Sequence, residues 1–149
     1  MHLTLPLRLS LKHHPGQSVA LESISISAVT EWCLALCLLR EGVAEAVSVR
    51  EEAGNGKLEI QAMSQAGSQV RTRARLDAGS VHLALTPRDL EYLLHFFLRY
   101  YRDGVAEVDH LDLEVVTGTE DQEVSITFKV PESAPPLSAS MARRRLGLR

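Results

Sequence analysis

Thr86-Pro-Arg-Asp-Leu-Glu-Tyr-Leu-Leu-His-Phe-Phe-Leu-Arg-Tyr-Tyr-Arg-Asp-Gly104 holds five of the seven aromatic residues of the chain: Tyr92, Phe96, Phe97, Tyr100 and Tyr101. Both of its ends carry helix signals. Thr86 is a good N-cap, Pro87 stands where a missing N–H costs nothing, and Asp89 brings negative charge to the positive end of the dipole. Gly104 stops the helix, with Arg99 and Arg102 in its last turns. At about 100° per residue, Leu90, Leu93, Leu94, Phe97, Leu98 and Tyr101 fall on one face, and Arg88, Glu91, His95, Arg99 and Arg102 on the opposite one. Tyr92, Phe96 and Tyr100 form a second stripe, which widens the apolar arc beyond what a helix lying on one sheet needs. That stripe either packs into a groove between the sheet and another helix or meets a partner.

Upstream, the odd positions from Leu3 to Leu11 are all leucine, and Arg8, Ser10 and Lys12 alternate with them, which predicts a strand with one buried face. His13-His14-Pro15-Gly16 turns the chain. A strand at about Ser18–Ser27 changes phase near Glu22-Ser23, as a bulge would make it do. The helix Val29–Arg40 is apolar nearly all round, which predicts burial on more than one side and a central position. Strands follow at about Ala46–Glu52 and Lys57–Met63 around Gly54-Asn-Gly56, a turn suited to positive φ angles. Others lie at about Gln69–Leu76 and Ser80–Leu85, and, beyond the main helix, near Val108–Val116 and Glu123–Val130.

Ser18-Val19-x-Leu21 matches Ser80-Val81-x-Leu83, and Arg40-Glu41-Gly42-Val43-Ala44-Glu45 matches Arg102-Asp103-Gly104-Val105-Ala106-Glu107, both at an offset of 62. Two matches in one register predict an internal duplication of a ββαββ unit. The fold class expected is therefore α+β: about eight strands, mostly antiparallel, with two helices packed on them. A single domain is expected over residues 1–131, with pseudo-repeats at about 1–64 and 68–130. Residues 132–149 read as a Pro/Ser/Ala linker and a basic tail.

Composition bounds function loosely. The 149 residues hold 45% apolar and 23% charged residues with a net charge of −3, ordinary for one globular domain and against a surface built wholly for nucleic acid. Cys33 and Cys37 read as reduced core thiols in a cytoplasmic protein. No stretch reaches the roughly 18 consecutive apolar residues of a membrane helix. The alternating N-terminus does not form the continuous apolar core of a signal peptide.

No catalytic, cofactor or metal motif appears, so no cofactor or metal is expected. His110, Asp112 and Glu114 share one face of a strand and could pair as acid and base or bind a cation. Same-face neighbours there stand about 7 Å apart, however, and a solvated strand face explains the alternation. His82, isolated in another strand, would join His110, Asp112 and Glu114 only through a pocket between the two halves. Arg71, Arg73 and Arg75 form a basic stripe, either tracking phosphate or pairing across the sheet with an acidic strand. They lack interleaved aromatics for stacking on single strands. Arg143, Arg144 and Arg145 add a basic tail, either a docking motif or solvated.

These features favour a non-enzymatic module that binds another protein or a second copy of itself: a subunit, an adaptor, or an antitoxin- or immunity-like neutraliser. Tyr92, Phe96 and Tyr100 would be the contact, with Arg88 and Arg99 orienting it. The alternative is a small-molecule binder or enzyme with its pocket between the halves. Nucleic-acid binding through Arg71, Arg73, Arg75 and the tail is the weaker third reading.

Overall fold

The computed structural model describes residues 1–12, 18–23, 25–64, 69–103 and 108–131. The turn at His13-His14, the stop at Gly104, the last four residues of the Arg102–Glu107 match, the linker and the basic tail with Arg143, Arg144 and Arg145 lie outside the described residues. Within them the chain is α+β, with β1 (His2–Leu5), β2 (Leu7–Lys12), β3 (Ser18–Ser23), α1 (Ile26–Arg40), β4 (Ala46–Glu51), β5 (Lys57–Ala62), β6 (Arg73–Asp77), β7 (Ser80–Leu85), α2 (Pro87–Asp103), β8 (His110–Thr117) and β9 (Gln122–Lys129).

The strands make one sheet in the order β1-β4-β5-β7-β6-β8-β9-β3-β2. Four hairpins, β2-β3, β4-β5, β6-β7 and β8-β9, are antiparallel. Parallel pairs β1-β4, β5-β7, β6-β8 and β9-β3 join them. The first and last strands of this order are consecutive in the chain, separated only by Pro6. The one leucine strand expected at Leu3–Leu11 is thus two strands serving opposite edges. Pro6 has no N–H to give to a ladder, and it marks the point where the segment leaves β4 for β3.

Glu51 closes this junction. Its carboxylate accepts from the backbone N–H of Leu9 in β2 and, at 3.0 Å, from that of Gly56. The Glu52 N–H donates to the Leu5 carbonyl at 3.0 Å. Gly54 and Gly56 are glycine because a Cβ at either position would strike the Glu51 carboxylate. Among the described residues neither has a positive φ, so the Asn-Gly step does not work as expected: the side chain of Glu51, not left-handed backbone, shapes the turn.

The phase change near Glu22-Ser23 is the end of β3, not a bulge. Ser25 caps α1, its hydroxyl accepting from the Ala28 N–H at 3.2 Å, and the helix begins at Ile26. Ala28, Val29, Trp32, Cys33, Ala35, Leu36 and Leu39 of α1 are buried, but Ser27, Thr30, Glu31 and Leu34 are exposed, Leu34 to 52%. Helix α1 packs on the sheet and on α2, so it is buried on more than one side, and its remaining side faces solvent.

The two helices and the sheet share one core. Trp32 of α1 stacks on Phe97 of α2, with ring centroids 5.6 Å apart and planes 3° from parallel. Phe128 of β9 meets both edge-on at 6.3 Å. Alternate residues of the strands, among them Val19, Val47, Ile60, Leu83, Val115 and Ile126, complete this core.

At the start of α2 the sheet and helix are joined by a polar relay. The Asp89 N–H donates to the Thr86 hydroxyl at 3.2 Å, as an N-cap requires. The Thr86 N–H donates to the buried hydroxyl of Thr72 at 3.1 Å, and that hydroxyl donates to the Asp89 carboxylate. The Thr72 carbonyl accepts from the Val116 N–H at 3.0 Å, so Thr72 pins β8 and the helix N-terminus together. The position of α2, and with it that of every residue on its outer face, is set by this joint.

Candidate functional site

Helix α2 divides its residues sharply. Leu90, Leu93, Leu94, Phe97 and Tyr100 are buried, while Arg88, Tyr92, His95, Arg99 and Arg102 are exposed. The exposed set steps by four and three residues alternately, so it runs along the helix axis as one straight stripe. From Arg88 to Arg102, fourteen steps at ~1.5 Å each, it is about 21 Å long. Leu98, 38% exposed, and the half-buried Glu91 seven residues before it flank the row on one side.

This division alters the aromatic contact expected from the sequence. Tyr100 is only 1% exposed and belongs to the core, so it offers nothing to a partner. Phe96 is half-buried, packed edge-on against Phe97 at 5.3 Å. Tyr92 alone of the three stands out in solvent, at 49% exposure. Leu98, assigned to the core by its spacing, is outside it. The competing α1 takes up arc that a sheet alone would have left open, which rotates the buried sector toward Tyr100 and away from Leu98.

The charges of the stripe are incompletely neutralised. Arg88 lies 5.3 Å from the centroid of the Tyr92 ring and donates to the Tyr92 hydroxyl at 3.3 and 3.2 Å. Arg102 pairs with Asp103 at 2.6 and 2.8 Å, which holds the Asp103 carboxyl below its ordinary value. Glu91 reaches His95 at 3.5 Å and Arg40 of α1 at 3.7 Å. Among the described residues neither Arg88 nor Arg99 has a carboxylate at ion-pair distance. Between His95, Leu98, Arg99 and Arg102 the surface dips into a depression of about 270 Å³.

The outer face of the sheet carries the other candidates. The basic stripe is paired: Arg71 with Glu123 at 2.9 Å, Arg73 with Asp121 at 2.8 Å and Arg75 with Asp77 at 3.2 Å. The partners come from β9, the turn before it and β6 itself, rather than from the acidic strand His110–Glu114. Val116, on the outer face between Arg73 and Glu123 in the register, is nevertheless buried. An apolar side chain surrounded by these pairs accounts for it and leaves the arginines little freedom to track a phosphate chain.

His82 stands in a cross-strand row, Ser48-Glu59-His82-Arg75. Its nitrogens lie 3.7 Å from Glu59 and 3.6 Å from Asp77, beyond hydrogen-bond reach. A concavity of about 410 Å³ there straddles the halves, lined by Glu59, Gln61, Arg73, Arg75, His82 and Gly118 among others. His110, Asp112 and Glu114 are not in it. Strand β6 separates β7 from β8, and the row from His82 runs toward Gly118, the near end of the β8–β9 hairpin.

The polar set proposed from the sequence is thus two sets. In the second, the His110 Nδ1 is 2.8 Å from Asp109, whose carboxyl this hydrogen bond holds low, and the Thr127 hydroxyl donates to Asp112. His110, Asp112 and Glu114 are exposed, and Asp109 and Thr127 are half-buried. Among the described residues no group of three or more His, Cys, Asp or Glu could hold a metal ion, and no helix is long and apolar enough to cross a membrane. Cys33 and Cys37 are free thiols; burial, with a smaller push from Cys37, raises Cys33 to about 12.

The polar face expected at Arg88, Glu91, His95, Arg99 and Arg102 is the exposed side of α2, except that Glu91 is half-buried and Tyr92, expected in the aromatic stripe, stands exposed among the cations.

No protein-family model matches the chain, and no curated protein sequence matches it. Among solved structures, the crystal structure of Drosophila Suppressor of Fused is similar over 82% of this chain and 26% of that one, at 17% identity and a TM-score of 0.44. The chain spans about a quarter of that protein's length, and a likeness of this degree carries no argument about function.

Proposed function

We infer that the protein is a non-enzymatic binding module that engages another protein through the outer stripe of α2. The observation that carries this reading is the row Arg88-Tyr92-His95-Arg99-Arg102. It is exposed along its length, it sits on a helix whose opposite face is committed to the core, and two of its guanidinium groups lack a carboxylate at ion-pair distance among the described residues. Tyr92 within the row and Leu98 beside it supply apolar area, and arginine and tyrosine are the side chains in which interface energy concentrates. The free thiols accord with a cytoplasmic setting. The parallel joins β5-β7 and β9-β3, each linking the last strand of one half to the same place in the other, favour descent of both halves from one ββαββ unit.

The test is affinity purification of the tagged protein from its native host, with stoichiometry by light scattering, for the wild type and for Leu98→Asp. A partner at fixed stoichiometry that is lost from the variant, while circular dichroism stays unchanged, is the expected result. Equal recovery of that partner by both proteins removes the reading.

A further inference from the structure

We propose that the occupant of the α2 stripe is an acidic α-helical segment of another protein, and that one glutamate of it seats in the depression between His95, Leu98, Arg99 and Arg102. This rests on the reading of α2 as a binding surface and gives that surface a ligand chemistry.

The spacing is the first argument. A stripe that advances by alternating steps of four and three residues lies along the helix, and its complement is a second helix laid beside it with the same repeat. Such a helix presents carboxylates at intervals matching Arg88, His95, Arg99 and Arg102 when glutamates occupy one face at three- and four-residue spacing. The second argument is the depression. Leu98 gives it an apolar side, and Arg99, Arg102 and His95 give it three nitrogen-bearing heads. A glutamate has the matching form, a short aliphatic stem that covers Leu98 and a terminal carboxylate that accepts from two guanidinium groups.

The third argument distinguishes a protein from a nucleic acid. Glu91 and Asp103 flank the row of cations, one on each side, and Glu91 already draws on His95 and Arg40. A phosphate backbone is uniformly negative and would be repelled at both carboxylates, whereas a mixed-sign protein helix can place a lysine or arginine there. Arg99 has no ion-pair partner of its own among the described residues, so it meets an incoming carboxylate without first giving one up. Arg88 is already oriented by the Tyr92 hydroxyl and ring, so it loses little side-chain freedom on binding.

The probes are two fluorescein-labelled helical peptides on an alanine and leucine background, one with glutamate at heptad spacing on its polar face and one with glutamine at the same positions. A duplex oligonucleotide of similar length is the third probe. Anisotropy titrations at low salt and at half-molar salt are run on the wild type, Arg99→Glu, Arg88→Glu and, on the other side of the molecule, Arg75→Glu. The glutamate peptide is expected to bind, to weaken with salt, and to lose at least about tenfold in affinity, some 1.4 kcal/mol, with Arg99→Glu. Arg75→Glu leaves it unchanged.

Equal binding of both peptides, no binding of the glutamate peptide up to millimolar concentration, or tighter and Arg99-dependent binding of the oligonucleotide each overturns the proposal. Its failure is separable from failure of the surface itself. A host partner lost with Leu98→Asp but retained by Arg99→Glu overturns the acidic ligand and leaves α2 as the binding face, whereas a partner indifferent to both removes the surface.

Discussion

Thr72→Val replaces a buried hydroxyl by a methyl of the same shape, and the structure says what that removes. The hydroxyl accepts from the Thr86 N–H at 3.1 Å and donates to the Asp89 carboxylate, and Thr72 is 1% exposed, so water cannot substitute for it. Loss of the first bond leaves a buried backbone donor unsatisfied, which costs about 1–3 kcal/mol; loss of a hydrogen bond to a charged acceptor costs about 1.5–3 kcal/mol. Because Asp89 keeps the helix dipole and some contact with solvent, the two losses overlap, and we expect about 3 kcal/mol in total.

The assay is equilibrium unfolding in urea, followed by the fluorescence of Trp32, the single tryptophan, which stacks on α2 through Phe97. The midpoint should fall with the slope unchanged, since the isosteric change leaves the compactness of both states alone. Asp89→Asn and the double variant close a cycle, and the coupling should be about 1 kcal/mol or more for groups in direct contact. A Thr72→Val variant within about 0.5 kcal/mol of wild type, or strict additivity in the cycle, would refute the relay as the joint that positions α2.

Glu51→Ala should cost about 2 kcal/mol, because it strands the Leu9 and Gly56 N–H groups at the junction of the sheet edges. Native-state hydrogen exchange should speed at those two amides before any other in β2 or in the turn between β4 and β5, and uniform acceleration across the chain would contradict the assignment. Cys33, raised to about 12 by burial, should resist alkylation. At pH 8 its thiolate fraction is about a thousandfold below that of an ordinary thiol with a pKa of ~8.5. The sign for stability follows: above about pH 8.5 the unfolded chain loses this proton and the folded chain does not, so stability falls as pH rises toward 12. Cys33→Ala should flatten that alkaline decline, and an unchanged decline would show that another group causes it.

The sequence spoke clearly wherever the cause of a structure was local. Thr86 and Pro87 announced α2, and the alternation of Val81, Leu83 and Leu85 announced β7 and its buried face. It was silent wherever two distant segments decide together. The leucine alternation runs through Pro6 without a change of phase, so nothing in its periodicity tells that Leu3 and Leu9 serve opposite edges; only the parallel pairing of β1 with β4 and the antiparallel pairing of β2 with β3 make that break. Likewise the arginines at 71, 73 and 75 pair with Glu123, Asp121 and Asp77 because of a register that no single strand contains. Tyr100 was misread for the same reason. The arc a helix buries depends on how many neighbours it has, and α2 has both a sheet and α1.

That double packing has a consequence for the candidate site. The residues that hold α2 in place, Leu90, Leu93, Leu94, Phe97 and Tyr100, share no member with the stripe Arg88, Tyr92, His95, Arg99 and Arg102. The cap relay through Thr72 uses Asp89, which also lies outside the stripe. The proposed contact and the packing that holds α2 therefore fall on different residues of one helix, and exposed changes such as Arg99→Glu should leave stability within about 0.5 kcal/mol. Helix α1 offers no equivalent: its solvent side carries Thr30, Glu31 and Leu34, with a single cation, Arg40, at its end. Arg40 is moreover turned toward Glu41 and Glu91. Of the two helices that share the core, α2 alone combines a buried inner face with an outer row of arginines, and that combination is why the proposed partner contact is placed on it rather than on α1.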